Sequence, residues 1–285
     1  MIEFTILIPT WNNLQHLQLV VESIRKNSAV SNQIIIFVNE GNDGSLEWVK
    51  EQTDLDYRHV EENVGICYAL NQCRDLIKGN YLVYMNDDMY VCPGWDTSLM
   101  NVIREIGHDN FMLSATAVEP RAVSNPSYVN IVRDFGDSVS SFREKDLIAA
   151  LPDLKRSDWS GASWPPSVIS VRLWDMVGGY SIEFTPGMYS DPDFSMKLWT
   201  YGVRIFRGVG SSLIYNFQSK STGRSKLKRN DGATTFLLKW GMTSKTFYKY
   251  YLRMGEPVTI LKEIQLPVWE QLRNKLKRML KAYRA

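Results

Sequence analysis

Strand-like and helix-like segments alternate four times in under ninety residues, and this alternation constrains the fold more than any other feature. Short apolar, β-branched runs predict buried strands, and the segments between them carry apolar residues at helical spacing. The predicted strands are Phe4–Ile8 (ended by Pro9), Ile34–Val38, Tyr57–Val60 and Tyr81–Met85, and the predicted helices are Asn13–Lys26, Leu46–Glu51 and Ile66–Ile77. Such alternation is typical of a mostly parallel sheet with right-handed crossovers, flanked by helices. We therefore expect an α/β fold.

Acidic residues follow the fourth predicted strand directly, in the run Asn86-Asp87-Asp88. The carboxyl ends of strands in an open α/β sheet face the crevice where ligands bind. Carboxylate oxygens there suit Mg²⁺ or Mn²⁺ that also contacts a substrate phosphate. A plain acidic turn is the alternative, since Asp and Asn favour turns. The glycine-rich fingerprints of dinucleotide-binding and P-loop proteins do not occur in the sequence.

The composition is that of a globular protein, with 44% hydrophobic and 22% charged residues among 285. The net charge of +2 gives little support to a nucleic-acid partner. Three cysteines without zinc spacing predict a reducing compartment. The sequence has no apparent signal peptide and no apolar run near the roughly 20 residues of a membrane span. We expect a cytoplasmic protein, with the inner face of the cell membrane as a second option.

The remainder of the chain carries weaker signals. Predicted helices are Trp95–Ile106, Leu147–Pro152, Arg172–Val177 and Met196–Tyr201, and predicted strands are Phe111–Val118, Val168–Val171, Val203–Phe206 and Ser212–Tyr215. Asp191 and Asp193 fall at the positive end of a helix that has Pro192 in its first turn, a placement that is itself favourable. From Gly232 onward the pattern is helical, with predicted breaks near Pro257 and Pro267.

Five segments occur in an order and spacing that resemble a known family. They are Ile6 to Asn12, Val38 to Ser45, Glu62-Asn63-Val64-Gly65, Asn86-Asp87-Asp88 with Pro93-Gly94-Trp95, and Gly178-Gly179-Tyr180 with Ser190-Asp191-Pro192-Asp193. Together they resemble a family 2 glycosyltransferase of the GT-A fold over about residues 4–217. The resemblance implies a Rossmann-like, mostly parallel central sheet, followed here by a C-terminal helical extension. It also implies inverting transfer of a sugar from a nucleoside diphosphate, with a UDP-sugar favoured, to a glycan or lipid-linked acceptor.

The resemblance implies a role for particular residues. Asp191 would be the general base, and Asp88 would bind the divalent metal, Mn²⁺ or Mg²⁺. Residues predicted to bind the nucleotide sugar are Pro9, Thr10, Trp11, Asn39, Glu40, Asn63, Gly65, Asn86 and Asp87. Residues predicted to contact the donor or acceptor sugar are Trp159, Trp164, Gly179, Tyr180 and Asp193. For the two tryptophans a core role is the alternative, and for Asp193 the alternative is to anchor its helix.

The sequence departs from the family pattern at several positions. Asn39 and Asn86 stand where Asp is usual, and Ser190 replaces the usual Glu beside the catalytic Asp. A histidine that often binds the metal after the last core strand is absent from Tyr215–Ser219. The metal would then depend on Asp88, phosphates and water. A basic segment could close over the diphosphate instead, or could be an ordinary solvated loop; it contains Lys220, Arg224, Lys226, Lys228 and Arg229.

The predicted organisation is a catalytic domain over 1–220, with a nucleotide-binding half of about 1–95 and an acceptor half over 96–220, followed by a basic loop and helical extension over 221–285. From Val268 the chain has six Lys/Arg, one acid and apolar residues at helical spacing. Such a helix suits an anionic membrane surface, its own domain or a second subunit. Two other functions stay open: a nucleotidyltransferase, which lacks its glycine-rich basic loop here, and a non-catalytic sugar-nucleotide-binding or scaffold protein.

Overall fold

Ten strands form one mixed sheet in the described part of the protein, which is residues 2–123, 129–219 and 230–283 of the computed structural model. The strands are β1 (Phe4–Trp11), β2 (Asn32–Asn39), β3 (Leu55–Val60), β4 (Tyr81–Tyr84), β5 (Met89–Val91), β6 (Phe111–Glu119), β7 (Ile131–Val132), β8 (Trp159–Ser160), β9 (Ser167–Ser170) and β10 (Ile205–Asn216). Their order is β3-β2-β1-β4-β9-β6-β10-β5, with β7 beside β6 and β8 beside β10.

Helices cover both faces of this sheet. They are α1 (Leu14–Asn27), α2 (Ser45–Glu51), α3 (Gly65–Gln72), α4 (Trp95–Ile106), α5 (Glu144–Leu154), α6 (Val171–Val177), α7 (Ser190–Tyr201), α8 (Gly232–Trp240), α9 (Ser244–Thr246) and α10 (Val268–Ala282). Short 3₁₀ turns occur at Arg74–Leu76, Val139–Ser141 and Ile182–Phe184, and a π-helical turn, Phe247–Tyr251, continues α9. No helix within the described ranges is long and apolar enough to cross a membrane.

The predicted mostly parallel α/β sheet is confirmed. β1, β2, β3 and β4 pair in parallel, as do β6 and β10, whereas β9 runs antiparallel to both β4 and β6. Because β9 is antiparallel to both of its neighbours, β4 and β6 run in the same direction, and β10 runs in that direction too. The carboxyl ends of these six strands therefore meet at one edge of the sheet, where the polar residues that follow them gather.

β1 is longer than predicted, because it continues through Pro9 to Trp11. It pairs with β2 over its whole length but with β4 only from Phe4 to Leu7. The Leu7 carbonyl accepts from Met85 on the β4 side, so Pro9, two residues further, also faces that side, beyond the end of β4. The missing N–H of Pro9 therefore costs no ladder hydrogen bond.

Three other boundaries differ from the prediction. Helix α7 begins at Ser190 rather than at Met196, and Asp191, Pro192 and Asp193 lie in its first turn, as the position of Pro192 predicted. The two short strands predicted over 203–215 form one strand, β10, with an irregularity between Val209 and Leu213. The segment 252–267 is not helical, and Pro257 makes an isolated β-bridge with Trp159 there.

Two cores lie on the two faces of the sheet, since successive side chains of a strand point in opposite directions. Ile6 and Ile8 pack on the face that α1, α2 and α4 cover. Leu7 packs on the opposite face, which α3, α6, α7 and α8 cover. Phe236 of α8 and Phe247 belong to this second core. The chain after residue 230 thus shares a core with the sheet, and the division at residue 220 stays a prediction.

Candidate active site

A cleft of about 310 Å³ opens at the edge where the parallel strands end. It is lined by Pro9, Thr10, Trp11, Asn39, Asn63, Gly65, Ile66, Asn86, Asp87, Asp88, Pro186, Asn216, Gln218 and Ser219. All the predicted nucleotide-sugar and metal residues except Glu40 are therefore brought together on one cleft. Ile66, Pro186, Asn216 at the end of β10, and Gln218 and Ser219 after it were not predicted to line it.

Asparagine side chains hold the loops of the cleft in place. Asn39, at the end of β2, donates from Nδ2 to the Thr10 carbonyl at 3.2 Å and accepts from the Val64 N–H at 3.0 Å. Asn63 accepts from the Gly65 N–H at 2.9 Å. Gly65 has φ of +75°, and a Cβ on it would lie 2.7 Å from the Pro186 Cα. Only glycine fits this position without strain.

Glu40 lies beside the cleft rather than on it. Its carboxylate accepts from Asn12 Nδ2 at 3.0 Å, and its carbonyl lies 2.9 Å from His59 Nε2. It lines a separate cavity together with Glu47 and Glu61. The predicted contact of Glu40 with the nucleotide is therefore not what this geometry favours, because its side chain is tied to the loop that follows β1.

Asp87 and Asp88 form the acidic part of the cleft, and each is 8% exposed. Asp87 accepts from Thr10 Oγ1 at 2.7 Å, and Asp88 accepts from the Ser219 N–H at 2.8 Å. Burial and the neighbouring charge of Asp88 raise the pKa of Asp87 to about 7. Burial also raises the pKa of Asp88, although the Ser219 N–H opposes this. Two adjacent buried carboxylates repel each other when both are ionised.

Contacts across the sheet edge that were not predicted position the chain after β10. Glu119, at the end of β6, accepts from Asn130 Nδ2 at 3.0 Å and from Asn216 Nδ2 and Gln218 Nε2, both at 2.7 Å. This network holds the segment that presents Ser219 to Asp88. An acid directly after an apolar strand, the signal that identified Asp87 and Asp88, was also available at Glu119.

His16 lies near the acidic pair, although the sequence gave no reason to place it there. Burial lowers its pKa, while the charge of Asp88 raises it. Its ring meets Phe217 edge to face with centroids 5.3 Å apart, and Nδ1 lies 2.9 Å from Asn13 Oδ1. Its Nε2 atom is buried and has no hydrogen-bond partner among the described residues. The spacing of the three histidines along the chain gave no signal for this placement.

A second cavity, of about 280 Å³, adjoins the cleft. Asn86 and Asn216 line both spaces, so these two side chains form the boundary between them. The second cavity is also lined by Asp191, Trp159, Trp164 and Glu119. The predicted base and both predicted tryptophans therefore lie on the far side of the asparagine pair from the acidic pair.

Asp191 lies in the first turn of α7. Burial raises the pKa of its carboxyl to about 7, and the Tyr180 hydroxyl, which donates to Asp191 Oδ1 at 3.4 Å, acts in the opposite direction. A carboxyl group with a pKa near 7 is partly ionised at neutral pH, and its ionised form can accept a proton.

Tyr180 contacts Asp191, and Gly179 precedes Tyr180 in the chain. The Tyr180 ring stacks on Phe194 with centroids 4.6 Å apart, and only 2% of the residue is exposed. The Gly179 carbonyl accepts from Lys197 Nζ at 2.5 Å, and a Cβ on Gly179 would lie 2.4 Å from Asn71 Oδ1. Neither residue lines either cavity, so their predicted sugar contacts stay predictions.

Asp193 is fully buried, which disfavours its predicted contact with a sugar. Its carboxylate accepts from Trp240 Nε1 at 2.8 Å and pairs with Lys239 at 2.9 Å. Both partners belong to α8, so Asp193 fastens α7 to that helix. The alternative role, an anchor for the helix, is the one this geometry favours.

The two tryptophans of the second cavity have different surroundings. Trp159 is 2% exposed, donates from Nε1 to Thr116 Oγ1 at 3.0 Å, and covers Gly208, on which a Cβ would come within 1.9 Å of the indole. Trp164 is half-buried and donates from Nε1 to the Tyr248 hydroxyl at 3.2 Å. Trp159 therefore forms part of the packed wall of the second cavity, while the side chain of Trp164 is partly exposed and could contact a ligand there.

The donor set of the cleft fits a divalent cation whose coordination a phosphate would complete. Among the residues that the structure describes, no group of three or more His, Cys, Asp and Glu side chains is arranged to hold a metal. Asp87 and Asp88 nonetheless supply hard oxygen ligands, and a cation between them would relieve their repulsion. The basic segment 220–229, for which closure over the diphosphate and an ordinary solvated loop were the two alternatives, lies outside the described residues.

Comparison with known proteins finds a matching family model and a similar curated protein. Residues 5–150, half of the chain, match the family model described as "Glycosyl transferase family 2". Glycosyltransferase GlyA of Streptococcus pneumoniae serotype 4 is 27% identical over 111 residues, which is 38% of this chain and 16% of that protein. The chain thus spans a small part of the length of this relative.

Similar solved structures agree with the fold. TarS 1-349 of S. aureus has a TM-score of 0.59 and 12% identity, over 99% of this chain and 72% of that one. GalNAc-T7 with UDP, GalNAc and Mn²⁺ also has a TM-score of 0.59, with 14% identity over 99% of this chain and 55% of that one. Both are glycosyltransferases of GT-A type, and the predicted GT-A fold is confirmed. The chain belongs to glycosyl transferase family 2.

Proposed function

We propose that the protein transfers a sugar, with inversion, from a nucleoside diphosphate to a hydroxyl group of a glycan or lipid-linked acceptor. The observation that carries the proposal is the pair of adjoining cavities. The acidic pair lines one, Asp191 lines the other, and Asn86 and Asn216 line both. A donor with its diphosphate at the acidic pair would have its anomeric carbon near this boundary, with Asp191 beyond it.

The chemistry assigned to Asp191 is removal of the acceptor proton. Its pKa of about 7 leaves a large ionised fraction at neutral pH and makes the carboxylate a stronger base than an exposed one. An acceptor that attacks from the second cavity approaches opposite a diphosphate that leaves into the cleft. Attack from that side inverts the configuration of the anomeric carbon.

Asp88 is the proposed metal ligand, with Asp87 as a second ligand or a partner of a metal-bound water. A divalent cation bound there would neutralise charge on the leaving diphosphate. Thr10 holds Asp87 and the Ser219 N–H holds Asp88, so both carboxylates are fixed before the donor arrives. The proposal of Mn²⁺ or Mg²⁺ is supported by the Mn²⁺ in the similar GalNAc-T7 structure.

A UDP-sugar is the donor class we favour. TarS 1-349 has been crystallised with UDP-GlcNAc, at a TM-score of 0.60 and 10% identity, and GalNAc-T7 with UDP. In this chain Pro9, Trp11 and Asn63 also line the cleft, and we assign the base and ribose to these residues. Trp11 Nε1 is buried without a hydrogen-bond partner among the described residues.

A donor screen tests the proposal. UDP-, GDP-, dTDP- and CMP-sugars are incubated with the protein and Mn²⁺, and release of the nucleotide is followed with and without candidate glycan acceptors. One donor class should be consumed, and Asp191→Asn and Asp88→Ala should each lose at least about 100-fold in rate. Binding of a sugar nucleotide without any release would favour the scaffold alternative. Release at the parental rate by both variants would refute the residue assignments.

A further inference from the structure

Helix α10 docks on the protein by its polar side. Its two buried residues are Glu270 and Asn274. Glu270 accepts from Thr246 Oγ1 at 2.6 Å, and Asn274 accepts from the Thr243 N–H at 3.2 Å. An amphipathic helix of a globular protein normally buries its apolar side instead. The arrangement leaves the apolar side of α10 for another partner.

The outward side of α10 is an exposed apolar stripe. Its members are Val268, Trp269, Leu272, Leu276, Met279 and Leu280, which are 54–71% exposed. At 3.6 residues per turn these positions fall within an arc of about 120°. Single exposed apolar residues are common, but a continuous stripe along a whole helix marks a surface that binds a partner or a membrane.

The charges around the stripe are all positive on the outside. Arg273 and Lys275 flank it on its two sides, and α10 carries five Lys/Arg in total. Its one acid, Glu270, is 4% exposed and faces the protein. Lys275 has no ion-pair partner within the described ranges. An apolar stripe between rows of basic residues matches the acyl and headgroup layers of an anionic bilayer.

A second copy of the chain is a poorer match. Two α10 helices packed stripe to stripe would bring their basic flanks together. Arg273 pairs with Glu270 of its own helix at 3.4 Å, but the flank of Lys275 offers no acid to compensate. Like charges at the edges of paired helices disfavour association. We propose that α10 lies in the headgroup region of an anionic lipid bilayer, with its apolar stripe inserted and its basic flanks on the lipid phosphates.

The position of α10 links such a surface to the candidate site. α10 packs on α8, with Lys281 3.5 Å from Asp231 at the start of that helix. α8 holds Asp193 through Lys239 and Trp240, and Asp193 lies on α7 two residues after Asp191. If the proposed transfer is correct, the bilayer would lie on the elements that carry the acceptor side, which suits a lipid-linked acceptor.

Vesicle flotation tests the inference on the full chain without any sugar nucleotide, so its result is independent of the proposed activity. Vesicles of pure phosphatidylcholine are compared with vesicles that contain about 30% phosphatidylglycerol, at low and high salt. The parent should float only with the anionic vesicles and should dissociate at high salt. Leu272→Ser with Leu276→Ser, and separately Arg273→Glu with Lys275→Glu, should each lower the partition coefficient at least about tenfold.

Matched controls separate binding by α10 from nonspecific effects. Val132→Ser with Met176→Ser changes two residues outside α10 that are 49% and 55% exposed, and should leave flotation unchanged. Circular dichroism should be unchanged for every variant, since the substituted side chains of α10 lie outside its docked face. Absence of flotation with anionic vesicles would overturn the inference. A dimer in sedimentation velocity that the leucine variant abolishes, without vesicle binding, would assign the stripe to a second copy instead.

Discussion

Replacing Asp191 by asparagine should stabilise the folded protein while it removes sugar transfer. Burial raises the pKa of Asp191 from 3.8 to about 7 in the folded protein, whereas the unfolded chain keeps the ordinary value. Between these values the unfolded chain has lost a proton that the folded protein retains, so the free energy of unfolding falls as pH rises. Above about pH 7 both states are ionised and the loss is complete.

The size of the effect follows from this difference in pKa. At 1.36 kcal/mol per pH unit it amounts to about 4 kcal/mol for a carboxylate shielded completely from water. Asp191 lines an open cavity, where water screens its charge, so we expect about 2 kcal/mol. In a chain of this length that corresponds to a rise in Tm of about 4 °C for Asp191→Asn.

Thermal unfolding of both proteins without donor, from about pH 5 to 8.5, measures the effect. The gain in Tm should reach a plateau above about pH 7 and should be less than half as large at about pH 5. Asp193→Asn is the matched control on the same helix. It weakens the buried pairing with Lys239 and should lower Tm throughout. An equal gain at both ends of the pH range, or none above pH 7, would refute the reasoning.

Three further substitutions test other parts of the site and fold. Tyr180→Phe removes a hydrogen bond that lowers the pKa of Asp191, so the acid limb of the pH–rate profile should move up by about half a pH unit; an unchanged limb would contradict that contact. Asp88→Asn should weaken UDP binding at least about tenfold in calorimetry with Mn²⁺ but leave it unchanged with EDTA, and equal losses in both buffers would contradict a metal role. Gly208→Ala places a Cβ against the Trp159 indole and should lower the free energy of unfolding by about 1–3 kcal/mol in urea titration. An unchanged midpoint would show that the Trp159 side chain moves aside without cost.

Local patterns in the sequence were sufficient to predict the first half of the sheet and the composition of the cleft. Buried parallel strands are short apolar runs, and polar residues directly after them must meet at one edge. Thr10, Asn39 and Asp87 were predicted on that basis and lie on one cleft. The same rule applied to Glu119 would have indicated its place at the end of β6. The predicted end of β1 at Pro9 was wrong. A proline disrupts a strand only where a neighbouring strand would accept a hydrogen bond from the missing N–H, and β4 ends before it reaches Pro9.

Tertiary structure alone decided what each polar group at this edge can do. Asp191 and Asp193 are two residues apart in equivalent local sequence, yet one lines a cavity and the other is buried against α8. Glu119 contacts Gln218 across 99 residues of chain. The sequence by itself determined the alternation, the strand-end carboxylates and the amphipathic pattern of α10. The burial of the acidic side chains, their pKa values and the exposure of the apolar side of α10 depend on contacts between distant segments of the chain. No local sequence pattern contains those contacts.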